Sequence, residues 1–212
     1  QFFSTPVQRL EQEMMKQKTR NTKKPSHLSS HVSDFQPKAD PSSGGRFRAS
    51  DFVLISGGQT GADRAALDFA IAHKIPHGGW CPKGRQEEDG ILSKKYHLIE
   101  TSSDNYEQRT KKNVRESDGT VIFGMSKKMM GGTLFTFEYV QNKNKPCLCL
   151  LGISVETAAR RLDQFIKAHH VRVLNVAGPR ASREQKVYAF VMKVLKKCPF
   201  WGSESHATQK ED

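Results

Sequence analysis

From Asp51 onward, short apolar runs alternate with longer stretches in which apolar residues recur every three or four positions. The short runs predict strands buried on both faces, because their apolar residues are continuous rather than alternating with polar ones. The longer stretches predict amphipathic helices. The predicted strands are Phe52–Ser56, His77–Cys81, Tyr96–Glu100, Thr120–Phe123, Pro146–Leu151 and Arg172–Val176. The predicted helices are Ala62–Lys74, Tyr106–Glu116, Leu134–Asn142, Ser154–His169 and Ser182–Lys197.

Repeated strand-helix units of this kind predict an α/β fold with a doubly wound, mostly parallel sheet and helices on both faces. We therefore assign residues 51–198 to one ligand-binding domain. Residues 1–50 lack a core-building period and are rich in Lys, Arg, Ser, Gln and Pro, which predicts a basic N-terminal extension with little order of its own. Residues 199–212 are assigned to a C-terminal tail.

The net charge of +12 favours anionic partners, which include nucleic acid, phosphorylated ligands and acidic protein surfaces. Cations of the extension would neutralise RNA phosphates without reading a base sequence, and binding to acidic protein is the alternative. The residues expected to make these contacts are Arg9, Lys16, Lys18, Arg20, Lys23 and Lys24. The acid-free start, Gln1–Leu10, resembles the remainder of an organellar presequence, which predicts the mitochondrial matrix, with the cytoplasm as the alternative.

Cysteine and histidine usage gives no sign of a metal or of covalent catalysis. Four cysteines are too few for a disulfide scaffold. Cys147 and Cys149 share one strand face, so we expect them in the core. No Ser-His-Asp, Cys-His or metal-ligand spacing is present, and no apolar run approaches the ~20 residues of a membrane span. The sequence therefore predicts no catalytic residue, no metal site and no membrane span.

Glycine-bearing turns follow three of the predicted strands, and each has a hydroxyl at or near the start of a helix. They are Gly57–Gly61, Gly131–Thr133 and Gly178–Ser182. Ligands of doubly wound sheets bind at the carboxyl ends of the strands. A glycine turn lets a ligand approach the backbone, and a helix N-terminus offers free N–H groups to an anion. The hydroxyls could instead cap their helices, but three such loops on one edge predict a shared phosphate pocket.

Positive and polar side chains complete the predicted pocket. Arg109 and Asn113 are four apart and share a helix face, where they would contact a ligand, a neighbouring subunit or only solvent. Asp63 lies in a first helical turn, which favours a carboxylate even without a function. The predicted ligand-binding residues are Gly57, Gly58, Gln59, Thr60, Gly61, Asp63, Arg64, Lys83, Arg85, Arg109, Asn113, Gly131, Gly132, Thr133, Gly178, Arg180 and Ser182.

These motifs together resemble a known family. Residues 52–194 are similar to the SLOG superfamily of Rossmann-like proteins, specifically to the group labelled putative molybdenum carriers. The resemblance implies a Rossmann-like ligand-binding fold that is usually oligomeric, so a homo-oligomer is expected. It also implies that the ligand or cofactor is a nucleotide, a nucleotide-derived molecule or the pterin of the molybdenum cofactor. The matching strings are Gly57–Asp68, Gly79–Arg85, Glu88–Gly90, Arg109–Thr120, Gly131–Thr133 and Leu174–Arg180.

Three functions are weighed. The first is non-catalytic binding of a nucleotide-like or molybdopterin-like phosphorylated ligand. The second is a structural role in a large mitochondrial ribonucleoprotein, such as a mitoribosome, through the basic extension. The third is hydrolysis of nucleoside monophosphates, because the superfamily includes phosphoribohydrolases of the Lonely Guy type with the signature P-G-G-x-G-T-x-x-E. Here Met130–Glu138 lacks the proline and the third glycine, and its glutamate is out of register, so that activity is not carried over.

Overall fold

The computed structural model describes residues 52–202. The basic residues predicted to contact nucleic acid or a partner lie outside the described residues. They are Arg9, Lys16, Lys18, Arg20, Lys23 and Lys24. Within the described part of the chain, no helix is both long enough and apolar enough to cross a membrane.

Strands and helices alternate along the described residues. The first part contains β1 (Val53–Ser56), α1 (Ala62–Ala72), β2 (His77–Gly78), β3 (Trp80–Cys81), a 3-10 turn (Lys83–Arg85), β4 (Gln86–Glu87), β5 (Gly90–Ile91) and β6 (Ile99–Glu100). The second part contains α2 (Tyr106–Glu116), β7 (Gly119–Gly124), α3 (Gly131–Asn142), β8 (Cys147–Leu151), α4 (Val155–Ala168), β9 (Val173–Ala177), α5 (Val187–Lys197) and a 3-10 turn (Pro199–Gly202).

Five strands form the central sheet in the order β2-β1-β9-β7-β8, and every neighbouring pair is parallel. The usual order of a Rossmann-like sheet begins 3-2-1-4-5. The observed order becomes the same one when β9 is counted as the first strand. The last strand of residues 52–202 therefore holds the central position, and the strand order reverses between β9 and β7.

The helices cover both faces of the sheet. On one face α5 packs between α1 and α4, and on the other α2 packs against α3. The larger core lies under α1, α4 and α5 and includes Phe69, Phe123 and Leu162, each fully buried. The fold class predicted from the sequence is thereby confirmed.

The core continues past residue 198, where the sequence analysis placed the start of the tail. Phe200 is buried in the core, and its ring centroid lies 5.2 Å from that of Phe52. Trp201 packs edge-on against Phe52 at 5.0 Å. Aromatic packing of this kind stabilises a core beyond the area that it buries.

Gly79 explains why the predicted strand His77–Cys81 is two short strands. Its φ of 121° lies in a region that other residues rarely adopt, and an added Cβ would lie 2.2 Å from the carbonyl oxygen of Ser56. The chain bends there, so β2 pairs with β1 in the central sheet whereas β3 pairs with β6 in a separate ribbon. The predicted strand Tyr96–Glu100 is correspondingly reduced to Ile99–Glu100.

Candidate functional site

A cleft of about 540 Å³ opens at the carboxyl ends of β7 and β9, where the strand order reverses. Open α/β sheets bind their ligands at this point, because neighbouring loops there leave in opposite directions. Ten of the predicted site residues line the cleft: Gly57, Gln59, Asp63, Arg109, Asn113, Gly131, Gly132, Thr133, Gly178 and Arg180. The structure therefore brings all three glycine turns to one cavity, although the three turns differ in what occupies them.

The turn Gly131–Thr133, called the open turn below, presents free backbone to the cleft. It begins α3, whose N-cap residue Met130 makes no side-chain capping hydrogen bond. A Cβ added to Gly131 or Gly132 would find no atom within 4 Å. The first N–H groups of a helix have no partner within it and carry a partial positive charge. The open turn can therefore accept an anion without any rearrangement.

Three cations besides Arg109 line the same cleft as the open turn: Lys128, Arg180 and Arg183. The Arg180 side chain is about half exposed, at 46%. Arginine binds phosphate through two parallel hydrogen bonds, and lysine binds it as a point charge. The cleft thus combines a helix N-terminus with exposed positive side chains, which is suited to a phosphate group.

The turn Gly57–Gly61, called the closed turn below, is filled by the protein itself. The Arg109 guanidinium donates to the Gly57 carbonyl at 2.6 Å, and a Cβ on Gly57 would lie 2.9 Å from that guanidinium. A Cβ on Gly61 would lie 2.5 Å from the Pro179 carbonyl oxygen, which also accepts the Ala62 N–H at 3.2 Å. Glycine is needed here for the packing of side chains and loops.

Glu88 accepts hydrogen bonds from the hydroxyls that were predicted to bind phosphate. Its carboxylate accepts from the Thr60 hydroxyl, from the Ser182 hydroxyl at 2.5 Å and from the Ser182 N–H at 3.2 Å. Desolvation opposes ionisation of Glu88, but the hydrogen bonds from Ser182 and Thr60 outweigh it and lower the pKa of this carboxyl. The residue pair predicted to bind a phosphate thus binds a carboxylate of the same chain.

Arg109 lies between two buried carboxyls beneath the closed turn. It donates to Glu87 at 2.9 Å and lies 3.9 Å from Asp63. Burial raises the pKa of Asp63 to about 6 and that of Glu87 to about 7, although Arg109 lowers both. The second carboxyl oxygen of Glu87 is buried without a hydrogen-bond partner. Asp63 and Arg109 line the cleft, so the net charge of the cleft lining depends on pH.

Several predicted site residues hold the loops together outside the cleft lining. The Arg85 guanidinium donates to four backbone carbonyls, those of Leu92, Leu98, Ser93 and Tyr96, at 3.0 to 3.1 Å. Arg64 donates to the Gly58 carbonyl at 3.1 Å and to both oxygens of Asp89 at 3.2 Å. Lys83 is exposed at the 3-10 turn. Gly58, Thr60, Gly61 and Ser182 are the remaining predicted residues outside the lining.

Asn113 has a structural role as well as a place in the cleft. Its amide accepts the Trp80 N–H at 2.8 Å and donates to the Trp80 carbonyl at 3.2 Å. This pairing imitates a strand neighbour and holds β3 against α2. The helix face shared by Arg109 and Asn113 is therefore turned inward, and the solvated alternative for these two residues is wrong, since both are buried.

The cleft also contains residues that the sequence analysis missed, the most informative being Asn175 and Glu184. Asn175 is buried in the middle of the central sheet and donates to the Thr120 hydroxyl at 3.2 Å. Glu184 accepts the N–H groups of Met125 at 2.6 Å and Ser126 at 3.3 Å, which are the first two residues after β7. A polar residue inside an apolar strand could have identified Asn175. No local pattern identifies Glu184, because its partners are nearly 60 residues away.

No metal site is found among residues 52–202, which contain no group of three or more His, Cys, Asp or Glu side chains that could hold an ion. The cysteines there, Cys81, Cys147, Cys149 and Cys198, are not paired in disulfides. None of them is a lining residue of the cleft.

The family model described as the circularly permutated YpsA SLOG family matches residues 54–199. A solved structure, that of a protein named "Putative molybdenum carrier protein" from Syntrophus aciditrophicus SB, is 46% identical to this chain. The match covers 68% of this chain and 92% of that one, with a TM-score of 0.67. No match was found among curated proteins. The resemblance stated from the motifs is confirmed, and the word "permutated" agrees with the central position of β9.

Proposed function

Because the chain belongs to the circularly permutated YpsA SLOG family, we propose that it binds a nucleotide-like or molybdopterin-like phosphorylated molecule in the cleft without transforming it. The observation that carries this proposal is the open turn, an uncapped helix N-terminus with empty space over both glycines. A phosphate placed there would meet helix N–H groups directly and would lie in the same cleft as Arg180 and Arg183.

The remaining surface of the cleft suits a planar, partly polar group attached to the phosphate. Leu151, which is partly exposed, provides apolar surface, and the buried Asn175 provides an amide. Ligand sites of this type are mostly apolar, with a few polar groups that fix orientation. Tyr106 and Met130, both exposed at the mouth, add aromatic and flexible apolar surface.

The name of the solved relative also suggests a molybdenum-related ligand. The residues present fit the phosphorylated pterin part of such a cofactor, since the open turn would hold its phosphate. They offer no thiol to the metal, because no cysteine lines the cleft. The protein's contribution would be to bind and shield the organic part.

The test is a titration of the full chain, by calorimetry, with inorganic phosphate, a panel of nucleoside monophosphates and a phosphorylated pterin. Gly132→Asp would place a carboxylate in the open turn, where space is available, and we expect it to weaken binding at least about tenfold, or ~1.4 kcal/mol. Gly132→Asn is the matched control, nearly equal in size but uncharged, and should retain most of the affinity. Failure of every ligand to bind, or equal affinity for Gly132→Asp and the wild type, would disprove the proposal.

A structural role in a mitochondrial ribonucleoprotein is the second candidate. It is supported by the net charge of +12 and by the cations of the basic extension. The two roles are compatible, because a recruited subunit can keep its cleft. Sedimentation of organelle lysate tests it: the protein should run with large RNA-containing particles and shift on ribonuclease treatment. If it sediments alone, this role is excluded.

Hydrolysis of nucleoside monophosphates is less favoured by the structure. Glu138, the glutamate nearest to the place of the phosphoribohydrolase signature residue, is exposed on α3 and is not a lining residue of the cleft. A general acid or base must reach the bond that it breaks. Incubation with several monophosphates, followed by measurement of free base, would reveal such an activity.

A further inference from the structure

Two carboxylates of the chain already occupy hydrogen-bond donors that follow β7 and β9. Glu184 accepts the two N–H groups that follow β7, at 2.6 and 3.3 Å. Glu88 accepts the Ser182 N–H and the hydroxyls of Ser182 and Thr60, where the turn after β9 meets the closed turn. A carboxylate and a phosphate use the same donors, so both glutamates stand where anionic ligand groups could bind.

The permuted strand order indicates that Glu88 binds at the turn that carries a phosphate group in sheets of the usual order. In sheets of the usual order, the turn after the first strand carries the pyrophosphate of a dinucleotide. In this chain β9 is the strand in that position, and its turn contains Gly178–Ser182. At Gly178 the turn has no room for a side chain, because a Cβ there would lie 2.6 Å from the Ala62 Cβ. Its Ala181 N–H is bound to the Thr60 hydroxyl, and its Ser182 N–H to Glu88.

Glu184 constrains the cleft at the end of β7. It is half-buried, lines the cleft and lies 3.9 Å from the position that a Cβ on Gly124 would take at the end of β7. A phosphate that reached this strand end would find both N–H groups occupied and a negative charge beside them. Repulsion between the Glu184 carboxylate and a phosphate would weaken the binding of that phosphate. Repulsion between like charges is a common source of binding specificity.

We infer that Glu88 and Glu184 restrict the cleft to ligands with a single phosphate group, and that nucleoside diphosphates, triphosphates and dinucleotides are rejected. The inference rests on the proposed function, since the open turn is the position that accepts the one phosphate. The chain's own carboxylates stand in for the second phosphate, because a phosphate that reached either position would find these backbone N–H groups already bound.

This inference is tested by comparing the affinities of one protein for several ligands. The full chain is titrated with AMP, ADP, inorganic phosphate and pyrophosphate at constant ionic strength and without divalent cations. We expect AMP to bind at least about tenfold more tightly than ADP, and phosphate to be preferred over pyrophosphate. Glu184→Ala and Glu88→Ala should each reduce the AMP preference about fivefold or more. Glu138→Ala, which removes an exposed carboxylate from α3 outside the cleft, is the control and should leave the ratio unchanged.

The ratio of two affinities in one variant does not depend on the fraction that is folded, so partial destabilisation cannot produce the expected result. Equal binding of AMP and ADP by the wild type overturns the inference and leaves the proposed function standing. An unchanged ratio in both Glu88→Ala and Glu184→Ala also overturns it. If the wild type binds none of the four ligands, the inference fails, whereas the proposed function fails only if the other monophosphates and the phosphorylated pterin also do not bind.

Discussion

The closed turn and the open turn have the same construction, a parallel strand followed by glycines and the N-terminus of a helix, yet they serve different purposes. In the closed turn the space above the glycines holds the Arg109 guanidinium and the Pro179 carbonyl. In the open turn the same space is empty. The difference shows that a glycine-rich turn only leaves space beside the backbone. The surrounding tertiary structure determines whether that space is filled by the protein or open to a ligand.

The largest expected loss of stability comes from removing the Arg109 guanidinium, which fills the closed turn. Arg109→Met removes the cation between Asp63 and Glu87, and both of those carboxyls are buried. We expect the free energy of unfolding at pH 8 to fall by about 3–5 kcal/mol, because uncompensated buried charges are strongly destabilising. Urea unfolding measures the change. Lys111→Met, which breaks an exposed ion pair with Glu107 on the same helix, is the control and should cost less than about 1 kcal/mol.

The loss in Arg109→Met should also depend on pH. The two carboxyls can take up protons, and they do so more readily when the cation is absent. The destabilisation is therefore expected to be smaller at pH 5 than at pH 8. If the loss is the same at both pH values, Arg109 acts by packing alone, and the closed turn is not an electrostatic structure.

The next largest effect compares one glycine from each turn. Gly61→Ala places a Cβ 2.5 Å from the Pro179 carbonyl oxygen at a φ of 78°, so both a clash and backbone strain are expected. The cost should be about 2–4 kcal/mol. Gly132→Ala adds the same methyl group to empty space at an ordinary φ and should change stability by less than about 1 kcal/mol, with stabilisation favoured by helix propensity. Urea midpoints measure both, and equal costs would contradict the distinction between the two turns.

Much of the fold follows from local patterns. The five strands of the central sheet lie where the predicted apolar runs are, and the five helices where the periodic stretches are, because each element must bury one face of its own. The break at Gly79 and the pairing of β3 with β6 were not predictable in the same way. Both depend on the Ser56 carbonyl and on a distant strand, which the local sequence does not reveal.

The candidate site was only partly predictable for the same reason. Gly131, Gly132 and Arg180 line the cleft because strand ends of a parallel sheet meet at one edge. Arg85 carries the charge expected of a phosphate ligand, but its partners are carbonyls 7 to 13 residues away. Glu88 is nearly 100 residues from Ser182. Charge and residue type indicate what a side chain can bind, whereas the tertiary structure determines which partner it meets.

A smaller effect is expected from Glu87, the carboxyl that holds Arg109 under the closed turn. Its pKa is raised from 4.5 to about 7, so the folded state keeps a proton that the unfolded chain loses. Stability should therefore fall as the pH rises from about 4.5 to 7 and level off above that. Glu87→Gln cannot ionise, so its stability relative to the wild type should improve by about 1–3 kcal/mol between pH 4.5 and pH 8. Urea midpoints across this pH range measure the trend. A stability difference between Glu87→Gln and the wild type that does not change with pH would contradict this prediction. Glu138→Gln, which alters an exposed carboxyl, is the control.

The smallest effect, a change in amide chemical shifts, distinguishes the two turns most directly. In the open turn the N–H groups of Gly131, Gly132 and Thr133 begin an uncapped helix and have no partner within it. In the closed turn the Gly58 N–H faces the Ser56 hydroxyl at 3.4 Å, and the Ala62 N–H is bound to a carbonyl.

Titration of ¹⁵N-labelled protein with inorganic phosphate should therefore move the amide resonances of the open turn in a saturable manner and leave those of Gly58 and Ala62 in place. Sodium chloride at equal ionic strength is the control for general salt effects, which should not saturate. Phosphate can enter the closed turn only by displacing Glu88 or Arg109, both of which hold hydrogen bonds there. Saturable shifts confined to the closed turn would show that the anion displaces these side chains, and the assignment of the two turns would then have to be reversed.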